Sequence, residues 1–242
     1  MDFLTSPAFW VALGQIIIID ILLGGDNAVV IALACRKLPP AQRTKGIIWG
    51  TAGAIILRVV LIAFAMTLLN VPFLKLVGAI LLVWIGVKLL APDDDAHGDV
   101  QGSDKLFAAI KTIIVADLVM SVDNVIAIAG AAQNAGEHSM LLVVLGLLIS
   151  IPIIVWGSQL VIKLMERYPM IITAGGMLLG WIAGGMLVSD PALANPDKWQ
   201  WMLKVPQNST VHYGAAVAGA LLVLVIGKAI AGRKKTAGGS HA

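Results

Sequence analysis

Apolar runs of about 20 residues recur along the whole chain, at 9–35, 46–69, 72–91, 105–132, 139–163, 169–188 and 212–231. Wound as a helix, a run of that length crosses the ~30 Å hydrocarbon core of a bilayer. The expected fold is therefore an all-α polytopic membrane protein with about seven transmembrane helices. The mean hydropathy of +0.91 and a charged content of only 13% lie outside the range of soluble domains. The first run opens Met1-Asp2-Phe3-Leu4, with no positive leading segment and no clear small-residue cleavage site. It is expected to stay as a span and not to be removed as a signal peptide.

A net charge of +3 does not signal nucleic-acid binding here, because the basic residues follow the connections between runs. Arg36, Lys37, Arg43 and Lys45 follow the first run, Lys163 and Arg167 the fifth, and Lys228, Arg233, Lys234 and Lys235 close the chain. The positive-inside rule puts these segments in the cytoplasm, with the N-terminus outside and the C-terminus inside. Lys75, Lys198 and Lys204 are exceptions to it. A lone Cys35 offers neither a disulfide nor a Cys/His metal signature, and reads as a small apolar filler.

Charge inside the runs is rarer and more informative. Asp20-Ile-Leu-Leu-Gly-Gly-Asp26-Asn27 lies in the first run, and Asp117-Leu-Val-Met-Ser-Val-Asp123-Asn124 in the fourth. An unpaired ionisable side chain at that depth costs roughly 3 kcal/mol or more, so each such group is a functional candidate.

The two motifs are related by an offset of 97 residues (20 to 117, 26 to 123), and the same offset carries Gly78 and Trp84 onto Gly175 and Trp181. The spans then fall into two three-helix repeats. An odd number of spans per repeat forces the second to enter the membrane in the opposite sense. In inverted repeats of this kind, substrate sites lie near the midplane at the repeat interface. The expected organisation is a first repeat at 1–91, an acidic cytoplasmic linker at 92–104 and a second repeat at 105–188. An external loop follows at 189–211, then a seventh helix with a basic tail at 212–242. His97 among the linker aspartates could act as a weak metal lure, but a solvated loop is the plainer reading.

On an ideal helix, positions six apart are rotated by about 240°, so Asp20 and Asp26 would not share a face. Gly24-Gly25 in mid-span favours a local break. The second motif has Ser121-Val122 at the aligned positions, so its break should be milder, with Ser121 supplying a hydroxyl oxygen. The candidate ligands are all oxygens: carboxylates of Asp20, Asp26, Asp117 and Asp123, and amide carbonyls of Asn27 and Asn124. Such hard sets suit Mn²⁺, Ca²⁺ or Mg²⁺ as a transported ion, with no permanent cofactor. Two other readings stay open. Each motif could cap a helix break, or the carboxylates could relay protons without metal.

Arg58, near the middle of the second run, is too deep to snorkel and needs a carboxylate partner. It has two possible roles. It can neutralise one surplus aspartate, which is the preferred reading, or stand in for the departing cation in one state of a transport cycle. Lys88 reads as a snorkelling anchor, Ser150-Ile-Pro152 as a kink, and Gln15 and Gln159 as polar candidates for a path.

The Gly24-Gly25-Asp26-Asn27 and Ser121-Val122-Asp123-Asn124 motifs, with Asp20 and Asp117 upstream, resemble the TerC family of integral membrane proteins. The likeness is to its short members and covers nearly the whole chain, and that family belongs with small exporters of the LysE type. The resemblance implies manganese efflux across a bacterial inner membrane. The expected function is a secondary exporter of divalent cations, coupled to protons or driven by the membrane potential. The alternative is a membrane assembly or metal-delivery factor for exported metalloproteins. Neither nucleotide-binding motifs nor the Gly-x-Gly-Asp arrangement of intramembrane aspartyl proteases occur, so an enzyme is not expected.

Overall fold

The computed structural model describes residues 7–64, 71–91, 102–133, 139–194 and 205–238. Its elements are helices: α1 Pro7–Leu23, α2 Gly25–Cys35, α3 Pro40–Ala63, α4 Leu74–Leu90, α5 Gly102–Gln133, α6 Ser139–Arg167, α7 Met170–Val188, α8 Pro191–Ala194 and α9 Ser209–Gly238. This is an all-α polytopic membrane protein. From Ile47 onward helix α3 is apolar on its outer as well as its inner side: it buries Ile47, Ala54, Ile55 and Ile62 while exposing Ile48, Trp49, Ile56 and Val60. A helix without a polar face belongs in protein core or in lipid.

Among the described residues, four helices are long and apolar enough to cross a membrane, or five when α1 and α2 count as one bent span. That is fewer than the seven runs of the sequence. Helix α4 has 17 residues, at the short limit for a span, and α5 carries Asp117 and Asp123 within its 32 residues. Several boundaries also move. Helix α3 starts at Pro40, so Arg43 and Lys45 lie in its first turns and not in a loop; proline suits that first position because its missing N–H would have no partner there. Helix α5 starts at Gly102, which takes the last residues of the expected linker into regular structure. The rest of that linker (92–101, with His97) and residues 195–204 of the external loop lie outside the described residues.

The helices pack as two units. One contains Met1–Leu69 and Leu106–Lys163, the other Asn70–Lys105 and Leu164–Ala242. Each unit draws on both halves of the chain.

In the first unit, buried residues follow helical spacing. On α1 they include Phe9, Leu13, Ile16 and Asp20; on α3 Ile47, Thr51, Ala54, Ile55, Arg58 and Ile62; on α5 Ile113, Ala116, Asp117, Met120 and Ser121; on α6 Val143, Leu147, Ser150, Ile154 and Ser158. Many of the apolar members interlock in one core. The same periodicity that buries them turns Asp20, Arg58, Asp117 and Ser150 inward. Cys35 is fully buried, as a filler would be.

In the second unit α7 and α9 meet at backbone contact. A Cβ on Gly180 would run into the Gly219 carbonyl, and one on Gly184 into that of Ala215. Small residues permit such approach, on which helix association in lipid depends. Asp190, with no exposed surface, accepts hydrogen bonds from the backbone N–H groups of Phe73 (2.9 Å), Leu76 (3.1 Å) and Ala192 (2.8 Å). It thereby caps α4 and α8 and holds Phe73 at a φ of +66°, a left-handed conformation that non-glycine residues seldom adopt. Lys88, on α4, has its ammonium 5.0 Å from the centre of the Trp84 ring.

Candidate functional site

Gly24 interrupts the first span. It separates α1 from α2, and the two axes differ by 48°. Its N–H donates to the Asp20 carbonyl at 2.7 Å, and its own carbonyl accepts from Asn27 N–H at 3.1 Å. A Cβ at position 24 would overlap the Asp20 carbonyl oxygen, so only glycine fits, whereas position 25 is open. This is the break expected from the paired glycines. The second motif differs, because α5 runs unbroken through Ser121-Val122 and the milder break expected there does not form. With β-branched Val122 and buried Ser121 in place of two glycines, nothing favours interruption.

Asp20 and Asp117, the equivalent upstream acids, meet at one guanidinium. Arg58 Nη1 donates to Asp20 Oδ1 and Nη2 to Asp117 Oδ1, each as an ion pair. Arg58 Nε–H donates to Ser121 Oγ at 3.0 Å. The remaining oxygens are also engaged: Ser121 Oγ–H donates to Asp117 Oδ2 at 3.1 Å, and Ser150 Oγ–H to Asp20 Oδ2. So α1, α3, α5 and α6 all contribute to one cluster. Asp20, Arg58 and Asp117 are 1%, 3% and 6% exposed, and both serines are fully buried. A buried charge is tolerated when paired and fully hydrogen-bonded, and removing one partner of such a group typically costs ~3–5 kcal/mol. The need of Arg58 for a carboxylate was legible in sequence. That it binds two was not, nor was Ser150 as a partner, although a hydroxyl within an apolar run was the available signal.

Asp26 and Asn27 stand outside this network. Asp26 is half-buried in the first turn of α2, where the helix dipole favours its charge. Its Oδ1 is buried without a hydrogen-bond partner, as are both amide atoms of Asn27 and the hydroxyl of Thr51. Such orphans are rare in finished cores and mark places where a water or ion is expected. A cavity of about 10 Å³ lies between Asn27, Val30, Ile31, Ile113 and Asp117. That is room for about one water-sized particle.

Asn124 takes a different part. Its amide Nδ2–H donates to the carbonyl of Leu23 at 3.2 Å, the last residue of α1. Asp123 lies in α5, and its side chain is outside the described residues. Among the described residues no three His, Cys, Asp or Glu side chains gather into one ligand group. Of the six candidate ligands, then, the structure brings Asp20 and Asp117 together through Arg58 and places Asn27 beside Asp117 at the cavity. It ties Asn124 to the helix break. Gln15 is exposed and Gln159 half-buried.

Known proteins point the same way as the motifs. The pattern of the "Integral membrane protein TerC family" matches residues 5–235. The membrane protein YjbE of Bacillus subtilis is 47% identical over 186 residues, covering 77% of this chain and 83% of YjbE. YceF of the same organism is 28% identical, with 75% and 72% covered, and the inner membrane protein YgdQ of Escherichia coli is 26% identical, with 69% and 75% covered. No solved structure matches. The chain belongs to the TerC family of integral membrane proteins.

Proposed function

We propose that this protein is a secondary transporter of the bacterial inner membrane that exports divalent cations, Mn²⁺ foremost. The observation that carries the reading is the meeting of Asp20 and Asp117 at a single buried charge. Two acids at equivalent motif positions converge on one point in an apolar unit, and the Asn27 amide, which has no protein partner, shares a small cavity with Asp117. Stability alone gives little reason for that arrangement, since well-packed apolar residues often serve as well as a buried ion group. A site that must alternately hold and release a cation needs carboxylates at that depth.

The working topology has seven spans in two inverted repeats plus a last helix, with the N-terminus outside and the C-terminus in the cytoplasm. Carboxylate and amide oxygens of both motifs ligate the ion in this scheme, and protons or the membrane potential drive it outward. The test is reconstitution. Purified protein in liposomes, given Mn²⁺, Ca²⁺ or Mg²⁺ across imposed pH and potential gradients, is expected to move Mn²⁺ without any other protein. If flux appears only when an exported metalloprotein is supplied, the chain is a metal-delivery factor instead.

A further inference from the structure

All three guanidinium nitrogens of Arg58 are committed within one buried cluster, two to carboxylates and one to Ser121. The planar fork spans both acids at once, which the point charge of a lysine could not do with the same geometry. Arg58 thus occupies the place between Asp20 and Asp117, where the first unit concentrates negative charge from both motifs. A transported ion that uses the same two carboxylates has to displace it.

We infer that Arg58 is a tethered counter-cation: it fills the seat between Asp20 and Asp117 when no ion is bound, yields it to a divalent cation, and returns as that ion leaves. The inference rests on the export reading above. Its physical content is competition. A tethered group acts at an effective concentration of millimolar or more. A monovalent ion brings no more charge than Arg58 itself, so it gains nothing by displacing the arginine. A divalent ion brings twice the charge to the same two carboxylates and can win. Arg58 is then a specificity-determining residue that rejects Na⁺ and K⁺ and keeps divalent binding weak enough for release. The cavity beside Asp117 gives the incoming ion a first foothold, with the unpartnered amide of Asn27 on its wall. From there it meets Asp117 before the arginine has left.

The experiment measures Mn²⁺ binding to the purified full chain by loss of the free-ion paramagnetic resonance signal, with and without added Na⁺, beside flux in liposomes. A seat filled by Arg58 about 90% of the time lowers apparent affinity about tenfold. Arg58→Met is therefore expected to bind Mn²⁺ about tenfold more tightly, to become sensitive to Na⁺, and to turn over more slowly because release is impeded. Arg58→Lys keeps a buried positive charge and guards against misfolding of the first variant; it should move affinity and Na⁺ sensitivity the same way by a smaller amount. A purely structural arginine predicts the opposite, weaker Mn²⁺ binding by the variants that remain folded; a lower unfolding temperature is common to both readings. Folded variants that bind no tighter than the parent and stay indifferent to Na⁺ overturn the inference while leaving export standing. A parent chain that neither binds nor moves Mn²⁺ removes both.

Discussion

The side-chain amide of Asn124 donates to the backbone carbonyl of Leu23, 101 residues away in sequence, at 3.2 Å. Leu23 ends α1, and the break at Gly24 frees carbonyls there that an unbroken helix would use internally. The amide of Asn27, at the equivalent position of the first motif, has no such task, because α5 is continuous and its carbonyls stay in the helical ladder. The two asparagines of a matched pair have therefore diverged, one fastening the break and the other left beside a cavity. Asn124→Ala is expected to lower stability by roughly 1–2 kcal/mol in detergent unfolding. Asn124→Asp, which sets an acceptor against an acceptor, should lose more. A tolerated aspartate would mean that the residue serves as an oxygen ligand.

Adjacent glycines make a matched test of the break. Gly24→Ala pushes a Cβ into the Asp20 carbonyl, while Gly25→Ala meets nothing within 4 Å. The first should destabilise by about 1–3 kcal/mol and disturb the Asp20 carboxylate on the preceding turn; the second should stay within about 0.5 kcal/mol of the parent. Equal unfolding temperatures for the two variants would contradict the overlap at position 24.

The export reading makes its sharpest demand on the downstream acids. Asp26→Asn and Asp123→Asn remove a hard ligand and the charge that offsets an ion's desolvation. Both should abolish Mn²⁺ flux in liposomes at normal abundance in the membrane. Parental flux in both would show that the ion passes elsewhere.

Asp190 tests the scaffold apart from the proposed ion site. Its two carboxylate oxygens serve three backbone N–H groups. An amide in its place keeps one accepting oxygen and turns the other acceptor into a donor, so Asp190→Asn strands at least one N–H. A loss of about 1–3 kcal/mol is expected. Flux per folded molecule should hold, since the residue touches none of the ion-binding groups.

Orientation is checked by labelling with a membrane-impermeant thiol reagent in a Cys35→Ala background. Asn208→Cys should label in intact cells and Lys45→Cys only after lysis. The reverse pattern would invert the topology drawn from the loop charges.

What could be read in sequence and what could not divide along a physical line. The break at Gly24 is a local property, and two glycines announce it. The inward pointing of Asp20, Arg58 and Asp117 follows from helical spacing of apolar neighbours. The pairing itself is not local. Nothing in the chain says that Arg58 takes both acids, that Ser150 donates to Asp20, or that Asn124 reaches Leu23, since each joins segments brought together only by packing. Asp190 was hidden for a related reason. An acid before a proline at the end of an apolar run looks like the start of a loop, and its role depends on Phe73 and Leu76, more than a hundred residues upstream.

The interleaving of the two packing units sets an order of assembly. During synthesis Arg58 enters the membrane with only Asp20 made, and Asp117 follows 59 residues later. The other oxygen of Asp20 waits still longer, for Ser150, 130 residues after it. The first unit cannot close on the nascent chain until residues 70–105 of the second have been made, and the second cannot close until all of the first has been. The half-made protein must therefore carry a partly paired charge in lipid, and a chain truncated before α5 leaves Arg58 with one carboxylate in place of two.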